Sequence, residues 1–169
     1  MMCKVALCGP GGVGKTSLAR RFTGQQFNPR ERLTVGVQHF FRRLALDGRV
    51  VSVAVWDLGG EHRFRFLAPM LLRGARGVVY VFDLTREETL LEVDEWRRVS
   101  EEVVGRVPSI LVGNKADLPR IVARERAEAY ALRAGMLGYF EVSAATGAGV
   151  EEAFTALLRA ILSSTAQQT

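Results

Sequence analysis

Cysteine is scarce in this sequence, which has only two copies, Cys3 and Cys8, among 169 residues. Because they lie five positions apart on a predicted strand, their side chains face opposite sides and cannot easily form a disulfide. The sequence also lacks an apolar run of the roughly 20 residues that a transmembrane helix requires, and its start lacks the layout of a signal peptide. We therefore expect a cytoplasmic protein with reduced thiols.

Lysine and asparagine are almost as scarce, with three and two copies beside 20 arginines. Lys15, Lys115 and Asn114 nevertheless fall within two short motifs, where a compact ammonium and a neutral amide fill roles that a planar guanidinium cannot. The net charge is +5, but the basic residues are spread along the chain. We interpret them as solvated surface, and expect no nucleic-acid partner and at most peripheral membrane association.

The length suits one domain, in which strand-like and helix-like segments alternate. The dipeptide Asp47-Gly48 separates two strand-like runs and favours a tight turn, which makes those strands antiparallel. The remaining alternation indicates a three-layer α/β fold: a mostly parallel six-stranded sheet with one antiparallel edge strand and helices on both faces. The predicted strands are 3–8, 37–46, 49–56, 77–85, 109–114 and 138–144, and the predicted helices are 15–24, a short one ending near 73, 87–103, 120–134 and 148–163.

The first motif is GPGGVGKT at residues 9–16, which matches G-x-x-x-x-G-K-[ST] between a predicted strand and a predicted helix. Its glycines let backbone N–H groups turn inward around phosphates, and the helix N-terminus adds partial positive charge. Lys15 would reach the β- and γ-phosphates, and the Thr16 hydroxyl would bind Mg²⁺. The candidate phosphate-binding residues are Gly11, Gly12, Val13, Gly14, Lys15, Thr16 and Ser17.

The second motif, Asn114-Lys115-Ala116-Asp117, follows a predicted strand at the carboxyl edge of the sheet, where ligands bind in such folds. The Asp117 carboxylate can accept hydrogen bonds from the N1–H and 2-amino groups of guanine. Adenine offers neither donor, so it would leave a buried carboxylate unpaired, at a cost of at least a few kcal/mol. Together the two motifs predict a site for GTP and GDP.

Four further segments accompany these motifs, and the whole set resembles the Ras-superfamily small GTPases, most closely the Rab-like branch. The resemblance spans about residues 3–163 and implies a P-loop NTPase G domain over 1–163 with a short flexible tail over 164–169. The arginine-rich composition suggests a prokaryotic Rab-like protein. The four segments are TVGVQHF (34–40), WDLGGEHRFR (56–65), LRGARGVVYVFDLT (72–85) and FEVSAATGAGVEEAF (140–154).

For the base, the resemblance implies that Phe27 packs against the guanine, although a plain core position for this aromatic stays open. It also implies that Ser143 and the Ala144 backbone support the base, with the Ala144 N–H meeting the guanine O6. Ala145 follows at the place where the family often has a lysine, which would weaken nucleotide affinity slightly.

For the phosphates, the resemblance implies that Thr34 binds Mg²⁺ and senses the γ-phosphate within switch I, about residues 30–41. Asp57 would hold Mg²⁺ through water, and the Gly60 N–H would touch the γ-phosphate within switch II, about residues 57–75. Loss of the γ-phosphate would then free both switches.

The chain departs from the family at Glu61, where a glutamine usually orients the attacking water; the handling of that water by glutamine in Ras and Gα is a documented case. A carboxylate accepts hydrogen bonds but cannot donate as an amide does, and it is repelled by the phosphates. Glu61 and the neighbouring His62 could replace glutamine in a modified scheme, or both could be surface residues. Arg30 and Arg32 are weak candidates for an internal catalytic arginine.

Three functions are compatible with these residues. The first is a GTPase switch that hydrolyses GTP slowly without an activating partner, using Lys15, Thr34, Gly60 and Glu61. The second is a GTP-binding module with negligible hydrolysis, and the third is an ATP-dependent phosphotransferase, against which Asp117 argues.

We expect a monomer that meets effector, exchange and activating proteins through its switches. Phe41, Phe64 and Phe66 could form an apolar effector patch or belong to the core. The last residues carry no cysteine for prenylation and position 2 is not glycine, so no lipid-anchor motif is present.

Overall fold

The computed structural model describes residues 1–24, 37–58 and 66–166 of the chain. In these ranges, strands and helices alternate as the sequence predicts. The strands are β1 (Met2–Cys8), β2 (Val37–Leu46), β3 (Arg49–Leu58), β4 (Gly77–Asp83), β5 (Ser109–Asn114) and β6 (Tyr139–Glu141). The helices are α1 (Lys15–Thr23), α2 (Ala68–Leu72), α3 (Glu87–Val104), α4 (Arg124–Arg133) and α5 (Val150–Ala166).

The six strands form one sheet in the order β2-β3-β1-β4-β5-β6. Every neighbouring pair is parallel except β2 and β3, which are antiparallel, so the predicted sheet with one antiparallel edge strand is confirmed. Strand β1 lies between β3 and β4, and the chain order reverses on its two sides. The loop that follows β1 therefore begins at the switch point of the sheet, where a crevice opens for ligands.

A two-residue turn joins β2 to β3 at Asp47 and Gly48, with Leu46 opposite Arg49. Both turn residues have positive φ, 50° and 79° respectively. This is the backbone that a tight hairpin turn requires and that an Asp-Gly dipeptide adopts at low cost. The predicted hairpin is therefore confirmed, together with its physical reason.

The hydrophobic core lies in two layers, one on each face of the sheet. Helices α1 and α5 cover one face, and α2, α3 and α4 cover the other. Cys3 belongs to the first layer and Cys8 to the second, so the two thiols are free and lie on opposite faces as predicted. Burial raises the pKa of both thiols, that of Cys8 to about 12.

Several element boundaries differ from the sequence prediction. Strand β4 ends at Asp83 instead of residue 85, because the Asp83 carboxylate accepts the Thr85 N–H and turns the chain. Strand β6 spans three residues, because the chain then leaves the sheet edge to build the turn described below. Helix α5 begins two residues late, after Gly147 and Gly149 with φ of 91° and 75°, and it continues to Ala166.

Helix α4 also begins later than predicted, at Arg124 instead of residue 120. Before it, the Ile121 and Val122 N–H groups both donate to the Leu84 carbonyl, which holds the chain in an irregular segment. Among the helices in the described ranges, none is both long and apolar enough to cross a membrane.

Phe154 of α5 stacks on Phe22 of α1, with ring centroids 4.0 Å apart. Because Phe154 is almost fully buried, we expect Phe154→Ala to lower the free energy of unfolding by about 3–5 kcal/mol through lost burial and a cavity. Urea unfolding followed by circular dichroism measures this change. Phe66, which is 74% exposed, provides the control, since Phe66→Ala should change stability by less than about 0.5 kcal/mol. Equal losses in the two variants would contradict the assigned core.

Candidate nucleotide-binding site

The loop after β1 turns sharply before α1 begins. Gly14, the residue before the helix, has φ 95°, in the region that favours glycine. A Cβ at this position would lie 2.3 Å from Asn114 Nδ2, so the loop packs directly against the second motif. The match to the phosphate-loop pattern thus has the predicted context, a strand followed by a glycine turn and a helix N-terminus.

The Lys15 ammonium lies against this loop and donates to the Pro10 carbonyl at 2.9 Å. Lys15 is only 5% exposed. Burial lowers the pKa of Lys15, and the nearby Asp57 carboxylate opposes that change. A buried ammonium aimed along a glycine loop is a suitable partner for an anionic group. In the first turn of α1, Ser17 is exposed, whereas Val13 of the loop is buried.

Thr16 and Asp57 lie together beneath the loop, where the Thr16 hydroxyl donates to Asp57 Oδ2. Asp57 is 2% exposed, and among the described residues no group donates to its other oxygen, Oδ1. Burial raises the pKa of Asp57, which Lys15 and Thr16 oppose. A buried carboxylate oxygen without a donor next to a hydroxyl fits a hard divalent cation such as Mg²⁺, which prefers oxygen ligands.

The Asn114 side chain connects the phosphate loop to the turn after β6. Its Nδ2 donates to the Val13 carbonyl at 2.9 Å, and its Oδ1 accepts the Ala144 N–H at 3.1 Å. Asn114 is 2% exposed, so both bonds are shielded from water. The two predicted motifs and the Ser143-Ala144 turn therefore form one continuous site.

The Asp117 carboxylate is oriented by Ser143, whose hydroxyl donates to Asp117 Oδ1 at 2.7 Å. The Ser143 hydroxyl in turn accepts the Thr146 N–H at 3.1 Å. The Ala144 N–H, which we expect at the guanine O6, donates to Asn114 Oδ1, so a base oxygen would share it. Ala145 is exposed beside this turn.

Two arginines that sequence reasoning missed also contact the site. Arg21 of α1 donates through Nε to the Ala144 carbonyl at 2.9 Å and also contacts the Ala145 carbonyl. Arg86, just before α3, donates to the Gly11 carbonyl of the phosphate loop at 3.0 Å. Their only signal in the sequence is their position next to an element of the site, which many surface arginines share.

Comparison with known proteins agrees with this geometry. The family model for the Ras family matches residues 4–163 of the chain. The chain belongs to the Ras family. This Ras-family chain is a Rab-like small GTPase with the P-loop NTPase fold, and members of its family bind GTP or GDP together with Mg²⁺.

Relatives from animals and plants align with this chain over most of their length. It is 39% identical to the Ras-related protein Rab-18-B of Danio rerio and 37% identical to the Ras-related protein Rab-8B of Homo sapiens; each alignment covers 94% of this chain and 78% of the relative. It is also 37% identical to the Ras-related protein RABA1b of Arabidopsis thaliana, over 94% of this chain and 74% of the relative.

Several predicted residues of this Ras-family chain lie outside the described ranges. They keep the roles that the family resemblance implies as predictions. Of the three aromatics considered for an effector patch, Phe41 and Phe66 are 52% and 74% exposed, which places these two outside the core. The predicted residues outside the described ranges are Phe27, Arg30, Arg32, Thr34, Gly60, Glu61, His62 and Phe64.

Gly14→Ala tests the contact between the phosphate loop and Asn114. The new methyl group would overlap Asn114 Nδ2, and moving that amide would break its bonds to Val13 and Ala144. We expect GDP affinity to fall by at least about tenfold, the equivalent of roughly one buried hydrogen bond. Fluorescence titration with a labelled GDP measures this loss.

Gly24→Ala is the matched control for this variant. Gly24 also has a positive φ, 72°, but an added Cβ would meet nothing within 4 Å. It should cost about 1–2 kcal/mol of folding stability through backbone strain alone. An equal loss of GDP affinity in both variants would refute the specific role of the contact with Asn114.

Proposed function

We propose that this chain binds GTP and GDP with Mg²⁺, hydrolyses GTP to GDP, and acts as a switch through residues 30–41 and 57–75. The observation that carries the proposal is the pair of hydrogen bonds made by the Asn114 side-chain amide, which joins the phosphate loop to the turn expected to recognise the base. One nucleotide could then contact both motifs at once. The exposed Phe41, at the end of switch I, supports recognition by effector proteins.

Selection of guanine would rest on Asp117. Its carboxylate is fixed by the Ser143 hydroxyl, so its position does not have to be ordered when a base arrives. A fixed carboxylate accepts from the N1–H and 2-amino groups of guanine, whereas adenine presents no matching donors. Asp117 is exposed in this structure, so the penalty would arise only when a bound base covers the carboxylate without offering it a donor. Adenine would do so and guanine would not, which argues against the ATP-dependent alternative.

The phosphates would be held by the loop N–H groups and Lys15. The Lys15 ammonium now donates to the Pro10 carbonyl, a neutral acceptor. A phosphate oxygen is a charged and therefore stronger acceptor, so it would compete well for this ammonium. Thr16 and Asp57 would hold Mg²⁺ together with Thr34, and the bound ion would supply positive charge against the β- and γ-phosphates.

Hydrolysis would depend on how switch II places the attacking water. The Gly60 N–H is expected to hold the γ-phosphate, while Glu61 accepts a hydrogen bond from the water. A carboxylate cannot donate to the transition state as an amide can, so we propose slow turnover that an activating protein completes. A binding module with negligible hydrolysis is the second candidate, favoured by the repulsion between Glu61 and the phosphates.

Asp117→Asn tests the assignment of the base-recognising carboxylate. We expect GTP affinity to fall by about 30-fold, because an amide cannot accept both guanine donors; this corresponds to about 2 kcal/mol. Affinity for XTP should rise, because xanthine carries a carbonyl oxygen where guanine carries its 2-amino group. Competition against fluorescent GDP measures both changes.

Asp47→Asn, on the exposed hairpin turn, is the control and should bind GTP and XTP as the parent chain does. Unchanged GTP affinity and selectivity in Asp117→Asn would overturn the base assignment. Displacement of GTP by equimolar ATP from the parent chain would instead favour the phosphotransferase.

Glu61→Gln separates a working GTPase from a binding module. In single-turnover assays of preloaded Mg²⁺–GTP, we expect slow phosphate release from the parent chain and release at least about tenfold faster from Glu61→Gln, because the amide can both accept and donate. His62→Ala should leave the rate of the glutamine variant unchanged. Absence of phosphate release from the parent chain would favour the binding module, and equal rates would make Glu61 an adequate substitute.

A further inference from the structure

Three consecutive carbonyl groups of the phosphate loop accept hydrogen bonds from outside the loop. Arg86 Nη2 donates to the Gly11 carbonyl at 3.0 Å, and Lys115 Nζ donates to the Gly12 carbonyl at 3.1 Å. Asn114 Nδ2 donates to the next carbonyl, that of Val13, at 2.9 Å. Lys115 and Asn114 belong to the base-recognising motif, whereas Arg86 belongs to neither motif.

These three outer donors (Arg86, Lys115 and Asn114) also fix the direction of the loop N–H groups. A trans peptide is planar, so its N–H points opposite to its carbonyl oxygen, and the described residues contain no cis peptide. Holding the Gly11 carbonyl outward therefore turns the Gly12 N–H to the other side. In the same way, the held carbonyls of Gly12 and Val13 turn the N–H groups of Val13 and Gly14 inward, towards the side where the phosphates are expected.

The Arg86 guanidinium is itself positioned by a buried carboxylate. Asp83 is fully buried and accepts from Arg86 Nε at 3.2 Å and from Lys115 Nζ at 2.7 Å. The N–H and hydroxyl of Thr85 also donate to it, at 2.8 and 2.6 Å. Burial raises the pKa of Asp83, but these donors outweigh burial and hold the pKa below its ordinary value, so the carboxylate stays ionised.

We infer that Arg86 is a positioning residue for the phosphates: oriented by Asp83, it holds and polarises the Gly11–Gly12 peptide so that the Gly12 N–H binds a phosphate oxygen. The inference rests on the proposed nucleotide binding. A cation on a carbonyl oxygen draws electron density from the peptide and makes its N–H a stronger donor. The role of Arg86 is thus exerted through the backbone and needs no contact with the nucleotide.

A plain surface ion pair is the alternative interpretation, since the Arg86 side chain is 41% exposed. Two contacts argue against it. The guanidinium spans from a fully buried carboxylate to a loop carbonyl, and a Cβ on Gly12 would lie 3.2 Å from Arg86 Nη2. An ion pair between Arg86 and Asp83 alone would require neither the hydrogen bond to the Gly11 carbonyl nor the close approach to Gly12.

The test compares GDP with GMP, which lacks the β-phosphate, on the full chain. We expect Arg86→Ala to speed GDP dissociation by about tenfold, the scale of one hydrogen bond to a charged group, while GMP affinity changes less than about threefold. Stopped flow with labelled GDP gives the rate, and competition gives the affinities for GDP and GMP. Arg86→Lys keeps the charge and Arg86→Gln keeps only a neutral donor. Both should recover part of the loss, and Arg86→Lys should recover more because its charge polarises the peptide.

Arg98→Ala is the matched control, an arginine of α3 that is 71% exposed and pairs with Asp94 at 2.9 Å. It should leave GDP dissociation unchanged. GDP dissociation from Arg86→Ala within twofold of the parent rate would overturn the inference, as would equal losses of GDP and GMP affinity. In both cases the proposed GTP binding would stand. If the parent chain bound neither GDP nor GTP, the proposed function would fail, and the inference with it.

Discussion

The side-chain amide of Asn114 is the interaction on which the rest of the site depends. Its nitrogen holds the phosphate loop through Val13, and its oxygen holds the turn after β6 through Ala144. A carboxylate could supply only the acceptor and an aliphatic side chain neither group, and each buried polar group left behind would cost about 1–3 kcal/mol. One amide thus sets the distance between the phosphate loop and the turn at which the base is expected.

Two buried carboxylates lie at this site, and their pKa values are shifted in opposite directions. Asp83 accepts from two cations and from the N–H and hydroxyl of Thr85, which lower its pKa, so it is a structural anion whose charge is already balanced. Asp57 has its pKa raised by burial, and one of its oxygens has no donor among the described residues. The first therefore orders its neighbours, while the second is suited to gain a cation.

The fold and the two motifs could be predicted because their signals are local. Alternating segments indicated the sheet, the Asp-Gly turn indicated its one antiparallel pair, and each motif lies within eight consecutive residues. The contacts of Arg21 and Arg86 could not be predicted, because they join residues 123 and 75 positions apart, through side chains that resemble ordinary surface arginines. The late start of α4 likewise depends on a tertiary contact, with the Leu84 carbonyl.

The outward-held carbonyls of the phosphate loop also bear on kinetics. Because the loop is held in shape by other parts of the chain, little conformational entropy remains to be lost when a ligand enters, and binding is preorganised. Differences between ligands then arise mainly in how long each stays bound. The Arg86 side chain is partly exposed. With the role proposed for it, a protein that drew it away from the Gly11 carbonyl would shorten nucleotide residence without entering the pocket.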